Sequence, residues 1–171
     1  ALVLRQTSVD DSIADGSQDG LVVLIETDDG IVGIGEVDSA PEVVKAAFDA
    51  PNSHANAMGL RNMLIGADPY DPELWSRLYR GSVYYGRRGV AIHAMSGVDL
   101  ALWDIKGKHQ GKPVSQLLGT PLRDKVKAYA STLMPDTPEA VAARVVELGA
   151  MGFRAIKFGW GPIGKDEKLD F

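Results

Sequence analysis

The sequence contains no cysteine among its 171 residues. Its absence excludes disulfide bonds, thiolate metal sites and cysteine nucleophiles. The chain also lacks any apolar run close to the roughly 20 residues that a bilayer-spanning helix needs. The N-terminal stretch Ala-Leu-Val-Leu-Arg has neither the length nor the cleavage site of a signal peptide. We therefore expect a cytoplasmic protein with no membrane partner.

Positive charge is in short supply. Lys and Arg number 18 against 23 Asp and Glu, which leaves a net charge of −5, and the two signs are mixed along the chain. Nucleic acids and anionic membranes bind surfaces with clustered basic residues, so neither partner is expected. Hydrophobic residues make up 45% of the chain and charged residues 24%, which is ordinary for a globular protein with a sizeable core.

A β-hairpin is predicted early in the chain. The β-branched stretch Leu21–Thr27 indicates a strand, Asp28-Asp29-Gly30 is a turn signal, and Ile31–Glu36 is the return strand. The hairpin carries glycines in the spacing GxxGxG, which in another context suggests a phosphate-binding loop. Such a loop follows a strand and opens a helix, so we do not expect nucleotide binding here.

Three helices are predicted after the hairpin, over residues 41–49, from Asp71 onward, and over Gly89–Gly111. Apolar residues occupy nearly every face of the third, which must therefore be buried on most sides. Its carboxylates Asp99 and Asp104 are expected to be internal caps or salt-bridge partners, for example of Arg87 or Arg88.

The C-terminal part of the chain has a βαβ pattern. Val126–Ser131 reads as a strand, Thr137 caps a helix, and Phe153–Phe158 reads as a second strand. Two parallel strands cannot bury both faces of their own sheet. At 171 residues, the chain is also shorter than the roughly 250 residues of a complete (β/α)₈ barrel. The pattern therefore predicts an α+β domain followed by an unfinished parallel architecture.

Several motifs resemble one family. Ala94–Lys108 (Ala-Met-Ser-Gly-Val-Asp-Leu-Ala-Leu-Trp-Asp-Ile-Lys-Gly-Lys) resembles the signature helix of the mandelate racemase/muconate lactonizing branch of the enolase superfamily. Pro113–Gly119 is similar to that family's usual continuation, and Gly152–Lys157 to its second barrel strand. The hairpin sequence Asp-Gly-Ile-Val-Gly-Ile-Gly-Glu fits the same family.

The resemblance implies an α+β capping domain over residues 1–120, followed over residues 121–171 by the first two strands of a truncated (β/α)₇β TIM-like barrel. In the family, loops corresponding to Ser8–Gly20 and Phe48–Gly59 close over the active site. It also implies one Mg²⁺ ion, whose ligands would lie beyond residue 171, so no metal ligand is assigned within this chain. A homo-oligomer is expected.

Lys157 is the candidate catalytic residue. The resemblance implies that its ammonium group holds the substrate carboxylate and helps to stabilise an enolate; the alternative is a surface lysine at a strand end. Family members often carry Lys-x-Lys at this point, but here the sequence is Lys157-Phe158-Gly159. A racemase must deliver protons to both faces of the α-carbon. The missing second lysine therefore favours an acid-sugar dehydratase.

Three further residues are candidates for substrate binding. Ser131 can reach substrate through its hydroxyl or merely satisfy local backbone groups. Trp160 can wall the pocket or pack against the barrel rim. His54, in the second substrate loop, can bind a hydroxyl or carboxylate or be solvated.

These observations lead to an expected function. The chain is read as a fragment of a Mg²⁺-dependent enzyme, a hydro-lyase or isomerase, that abstracts the proton α to a carboxylate; the isolated chain is expected to be inactive. Its substrate would be a small carboxylate, an acid sugar or hydroxy acid. Two alternatives remain: a racemase/epimerase or cycloisomerase of the same family, and a truncated, non-catalytic interaction or oligomerisation module.

Overall fold

The computed structural model of the protein describes residues 1–5 and 19–159. The chain divides into two compact units. The described residues of the first are 1–5 and 19–121, and those of the second are 122–159.

An antiparallel sheet forms one layer of the first unit. Its strands, in the spatial order β1-β2-β3, are β1 (Leu2–Leu4), β2 (Gly20–Glu26) and β3 (Val32–Val37). The predicted hairpin joins β2 to β3. The backbone N–H of Thr27 donates to the Ile31 carbonyl at 3.0 Å, and Gly30 takes φ = 84° between them. A left-handed glycine in a three-residue loop matches the right-handed twist of the flanking strands.

The described residues of the first unit also form five helices: α1 (Pro41–Asp49), α2 (Leu60–Leu64), α3 (Leu74–Gly81), α4 (Val90–Gln110) and α5 (Val114–Leu117). Helix α4 has the predicted limits, because Gly89 precedes it and Gly111, at φ = 62°, ends it with a left-handed cap. Helix α3 starts three residues after its predicted cap. The Asp71 carboxylate accepts the Glu73 N–H at 2.8 Å and so holds the turn that precedes the helix.

The hydrophobic core of the first unit lies between the sheet and the helices α1 to α4. In β3, burial alternates, so that Gly33, Gly35 and Val37 face the core. The fully buried side chains include Leu21, Val44, Leu60, Leu78, Met95, Val98 and Ile105. Helix α4 is buried along the face that meets the sheet, whereas Leu100 on another face is 51% exposed.

The second unit contains β4 (Ala130–Leu133), α6 (Pro138–Ala150) and β5 (Ile156–Gly159). The strands pair in parallel, as predicted for a βαβ unit. The Thr137 hydroxyl caps α6 by accepting the Ala140 N–H at 3.2 Å.

Both strands of the second unit begin later than predicted. The prediction placed strands at Val126–Ser131 and Phe153–Phe158, but pairing starts only at Ala130 and Ile156. Val126 is 77% exposed. A strand forms a ladder only where a neighbouring strand supplies hydrogen-bond partners, and the two predicted strands pair only from Ala130 and Ile156 onward.

Candidate functional site

Two predicted site residues lie side by side in the second unit. In the parallel ladder of β4 and β5, Ser131 is opposite Lys157. Adjacent strands are about 4.8 Å apart, and directly paired residues project from the same face of a sheet. The register therefore places the Ser131 and Lys157 side chains next to each other on one face of the sheet.

The alternation of burial shows which face carries this pair. Ser131 and Lys157 are exposed, whereas Ala130 is buried and its partner Ile156 is half-buried. Since successive side chains of a strand point to opposite faces, the pair lies on the open face of the two-stranded sheet. There it is accessible to a ligand.

Gly159 lies two residues after Lys157, at the end of β5, where it pairs with Leu133. The ladder therefore continues for two residues beyond Ser131 and Lys157, which the sequence had placed at the strand ends. A side chain at position 159 would project from the same face as Lys157. A Cβ added to Gly159 would meet no described atom within 4 Å, so the backbone has room for a larger residue.

An ammonium group beside a hydroxyl can bind a carboxylate. The Lys157 side chain offers up to three N–H donors and a positive charge, and the Ser131 side chain offers one O–H donor. Hydrogen bonds from a charged donor to a carboxylate are about twice as strong as neutral ones. This pair can therefore orient an acid substrate and stabilise negative charge that develops on its carboxylate oxygens.

His54 lies in the first unit, exposed, in a tight turn rather than an open loop. An isolated β-bridge joins His54 to Ala57, and the Ala57 N–H donates to the His54 carbonyl at 2.9 Å. The His54 Nδ1 accepts the Asn56 N–H at 3.2 Å. The imidazole also meets the Tyr84 ring edge-to-face, with centroids 4.4 Å apart.

Other contacts hold the ends of this turn against the neighbouring helices. The Met58 N–H donates to the Gly81 carbonyl at 2.8 Å, and the Tyr85 hydroxyl donates to the Met58 carbonyl at 2.6 Å. Burial raises the pKa of the Tyr85 phenol, so it remains a donor. The Asn52 side chain accepts the N–H of Gly59 at 3.2 Å.

The contact between Tyr84 and His54 was not predicted. Thirty positions separate the two residues in the numbering, and neither belongs to a motif that indicates the other. The one local signal was the Pro-Asn-Ser-His composition of the insert, which is typical of a turn. Only the packing of α3 beside the turn brings the tyrosine to the histidine.

A cavity of ≈ 980 Å³ lies in the first unit, away from these residues. Its lining includes Lys45, Asp49 and Arg61 but none of the predicted site residues. The hydrogen bond and ion pair between Lys45 and Asp49 lower the pKa of the aspartate and raise that of the lysine. Lys45 and Asp49 therefore satisfy each other's charge.

Some expectations concern residues beyond the described part of the chain. Trp160 and most of the Ser8–Gly20 loop lie outside it. Within residues 1–5 and 19–159, no group of three or more His, Asp or Glu side chains is arranged to hold a metal ion. Among the helices of the same residues, none has both the length and the apolar character needed to cross a bilayer.

Two curated relatives are similar to most of the chain. A D-galactonate dehydratase from Pectobacterium atrosepticum is 40% identical over 153 residues, which are 85% of this chain and 37% of the relative. A D-galactarolactone cycloisomerase from Agrobacterium fabrum is 40% identical over 148 residues, 82% of this chain and 37% of the relative. The chain thus spans little more than a third of the length of the curated relatives it matches.

Fold comparison and a family model agree with these relatives. The crystal structure of a racemase from Streptomyces coelicolor with bound magnesium matches 89% of this chain and 42% of its own, with a TM-score of 0.71 and 30% identity. The model of the mandelate racemase/muconate lactonizing enzyme N-terminal domain matches residues 7–119. The expected α+β capping domain is confirmed, and the described residues close no barrel. The chain belongs to the mandelate racemase/muconate lactonizing enzyme family of the enolase superfamily.

Proposed function

We propose that this chain is the N-terminal part of a Mg²⁺-dependent enzyme that dehydrates a sugar acid. The relatives that support an acid-sugar enzyme are a dehydratase and a cycloisomerase by name. In this proposal, residues 1–120 form the capping domain and residues 121–171 contribute the first two barrel strands. The enzyme is cytoplasmic and forms a homo-oligomer.

The observation that carries the proposal is the face shared by Ser131, Lys157 and Gly159. The first two bind the substrate carboxylate. A base removes the α-proton, and the electron pair moves into the carboxylate to give an enediolate. The β-hydroxyl then takes up a proton and leaves as water. Because Gly159 offers no amine, no base from this position can protonate the α-carbon, which favours elimination over racemisation.

The proposed Mg²⁺ has no ligand set among the described residues. We therefore assign its ligands to a part of the enzyme outside this chain. A divalent ion near the carboxylate would act as a Lewis acid and stabilise the enediolate. Such an ion accompanies the Streptomyces coelicolor racemase.

Trp160 and His54 complete the proposed substrate contacts. Trp160 would wall the pocket. His54 would donate to or accept from a hydroxyl or carboxylate, and the hydrogen-bonded turn around it holds its ring in place.

The first test is an intact-mass measurement on the natural protein. The proposal requires a mass well above the 18.3 kDa of this sequence, with room for a barrel. A mass of 18.3 kDa would instead support the non-catalytic interaction module. Analytical ultracentrifugation of the same sample measures the oligomeric state.

The second test is turnover by that protein with a panel of C5 and C6 sugar acids and Mg²⁺. We expect a product lighter by one water and carrying a 2-keto group. Lys157→Met keeps the length of the side chain but removes its charge, and it should lower kcat/KM by at least about 100-fold, as loss of one electrostatic contact in a transition state does. Unchanged turnover by Lys157→Met would contradict the assigned role.

A cycloisomerase is the second candidate, because the Agrobacterium fabrum relative is as similar as the dehydratase. The product mass separates the two: isomerisation leaves the mass unchanged, whereas dehydration removes one water.

A further inference from the structure

We propose that Tyr84 and the backbone N–H of Asn56 are positioning groups that hold His54 as a neutral donor, with its proton on Nε2, for an oxygen atom of the bound sugar acid. The inference rests on the proposed function for the identity of the ligand. The state of the histidine follows from contacts within the first unit.

The hydrogen bond at Nδ1 selects one tautomer of His54. A neutral imidazole has one N–H donor and one acceptor nitrogen. Nδ1 accepts the Asn56 N–H at 3.2 Å, so it cannot carry a proton itself. The proton therefore lies on Nε2. In the same way, a hydrogen bond at one ring nitrogen sets the state of the other in metal-binding and catalytic histidines.

The Tyr84 ring, although 73% exposed, packs against this imidazole and favours one orientation of it. The two rings meet at an interplanar angle of 76° with centroids 4.4 Å apart, which is a preferred geometry for aromatic pairs. Tyr84 is also fastened to the turn, because its N–H donates to the Asn56 carbonyl at 3.1 Å. Asn56 thus links the two side chains: its N–H binds His54, and its carbonyl binds the Tyr84 backbone.

Backbone hydrogen bonds within the chain hold the turn. The Ser53 N–H donates to the Ala57 carbonyl at 2.9 Å, and the Ala57 N–H returns to the His54 carbonyl at the same distance. A donor held in its binding geometry avoids the entropic cost of ordering a side chain when the ligand arrives. We therefore assign these bonds a role in affinity as well as in folding.

The remaining nitrogen of His54 is available. The side chain is exposed, and Nε2 has no hydrogen-bond partner among the described residues. A neutral N–H donor suits an oxygen that accepts, either a sugar hydroxyl or a carboxylate. A site built to bind such an oxygen rejects an analogue that lacks it. His54 would therefore distinguish a hydroxylated acid from its deoxy analogue.

The tautomer can be measured in the full enzyme without substrate. His54 is assigned by the loss of its signals in His54→Asn. At about pH 8, where histidines are ordinarily neutral, two-bond ¹H–¹⁵N correlations should show a protonated Nε2 and an unprotonated Nδ1 for His54. Tyr84→Phe should keep this pattern, while Tyr84→Ala should shift it towards tautomer averaging. A protonated Nδ1 in the unsubstituted enzyme would overturn the inference.

Two substitutions separate the functions of the two nitrogens in the full enzyme. Asparagine places an oxygen near the position of Nδ1, where it can accept an N–H two residues later as in an Asx-turn. His54→Asn therefore keeps the turn and loses the distal donor. Glutamine places an amide N–H near the position of Nε2. His54→Gln therefore keeps the donor and loses the bond to Asn56.

Loss of the His54 Nε2–H donor in His54→Asn should raise KM about tenfold, since one hydrogen bond is worth about that factor. His54→Gln should recover part of this loss. Tyr84→Ala should raise KM less than His54→Asn does, with kcat unchanged, and Tyr84→Phe should match the unsubstituted enzyme. Equal KM values for His54→Asn and the unsubstituted enzyme would refute the binding role. An enzyme inactive on every sugar acid would contradict the proposed function, while the tautomer measurement would still decide the positioning role.

Discussion

Gly35 lies so close to helix α4 that an added Cβ would be 1.9 Å from the Gly97 carbonyl oxygen. At Gly33 the corresponding distance to the Ala101 carbonyl oxygen is 2.2 Å. Real Cβ atoms do not approach a carbonyl this closely, so both glycines are required by the contact between helix and sheet. The glycine spacing in the hairpin thus has a packing explanation and needs no bound phosphate.

We therefore expect Gly35→Ala to destabilise the protein by about 3 kcal/mol, because the obstructing atom is backbone and cannot rotate away. Chemical denaturation monitored by tryptophan fluorescence measures the change. Gly20→Ala is the matched control, because Gly20 lies in the same sheet and an added Cβ there would meet nothing within 4 Å. Equal stability of the two variants would contradict this explanation, because it would show that α4 can shift away from Gly35 without loss of stability.

A second prediction concerns Gly159. If the missing amine at this position prevents racemisation, then Gly159→Lys in the full enzyme should allow exchange of the substrate α-proton with solvent deuterium in the recovered substrate. Space exists for the side chain. Gly159→Met, with similar bulk and no amine, should show no such exchange. Exchange in both variants, or in neither, would contradict the claim that the lack of an amine at position 159 prevents racemisation.

At the scale of elements, side chains of α4 hold the open edge of β3. The Asp104 carboxylate accepts the Ile34 N–H at 2.9 Å, and Lys108 Nζ donates both to Asp104 at 2.7 Å and to the Val32 carbonyl at 2.7 Å. These groups take the place of a neighbouring strand, which protects an edge that could otherwise pair with another chain. The expectation that Asp104 is a salt-bridge partner is confirmed, but its partner is Lys108, one turn away on the same helix, rather than Arg87 or Arg88.

The interactions of Asp104 with Lys108 and the Ile34 N–H predict a pH dependence of stability. The Lys108 hydrogen bond, together with the Ile34 N–H, keeps the pKa of Asp104 below its ordinary value against an opposing effect of partial burial. A carboxyl with a lowered folded-state pKa stabilises the fold above its unfolded value of about 3.9. That contribution is lost as the pH falls through the folded value.

Asp104→Asn should therefore lower the free energy of unfolding by about 0.5–1 kcal/mol at pH 7, and the difference should disappear as the pH falls through the lowered folded-state pKa of Asp104. Urea denaturation at several pH values measures it. Asp99→Asn on the same helix is the control: Asp99 is exposed, so its change should stay within about 0.5 kcal/mol at every pH. A difference for Asp104→Asn that does not vary with pH would contradict the electrostatic explanation.

At the scale of the whole molecule, buried apolar side chains are distributed unevenly. Among the described residues, the buried side chains of the core cluster all lie between Leu21 and Ile105, in the first unit. Among the described residues of the second unit, Ala130 and Leu148 are the buried hydrophobic ones. A two-stranded sheet is marginally stable at best. In the 171-residue chain by itself, the two units should therefore differ in stability.

Native-state hydrogen exchange should show this difference directly. Amides in the middle of α4 should exchange through global unfolding of the first unit, whereas those of β4, β5 and α6 should exchange at least about tenfold faster through local opening. The Ala140 N–H, bonded to the Thr137 hydroxyl, is a convenient reporter for α6. Equal protection in both units would mean that the chain unfolds as one cooperative body.

Local signals predicted much of the fold. Gly89 and Gly111 mark the ends of α4, Thr137 marks the start of α6, and the Asp-Asp-Gly turn marks the hairpin; each acts on the hydrogen bonds of its own neighbourhood. The short helix α2 was missed because its five residues carry no capping signal and are ordered by the burial of Leu60 and Met63.

The candidate site was only partly predictable. Lys157, Ser131 and His54 could be named from the sequence, because motifs identify residue types at positions along a chain. The residues that lie next to them in the fold could not be predicted. The register that places Ser131 opposite Lys157 is set by strand pairing. The contact between His54 and Tyr84 depends on how the segment that follows helix α3 packs beside the turn.

The sequence by itself determined the family, the order of the elements and the absence of an amine at position 159, since these depend on residue identity and local periodicity. Only the tertiary structure decided that the hairpin glycines serve helix packing, that Asp104 holds a strand edge, and that Tyr84 packs against His54. Each of these depends on distances between atoms far apart in the chain, and such distances arise only when the hydrophobic core brings the elements together.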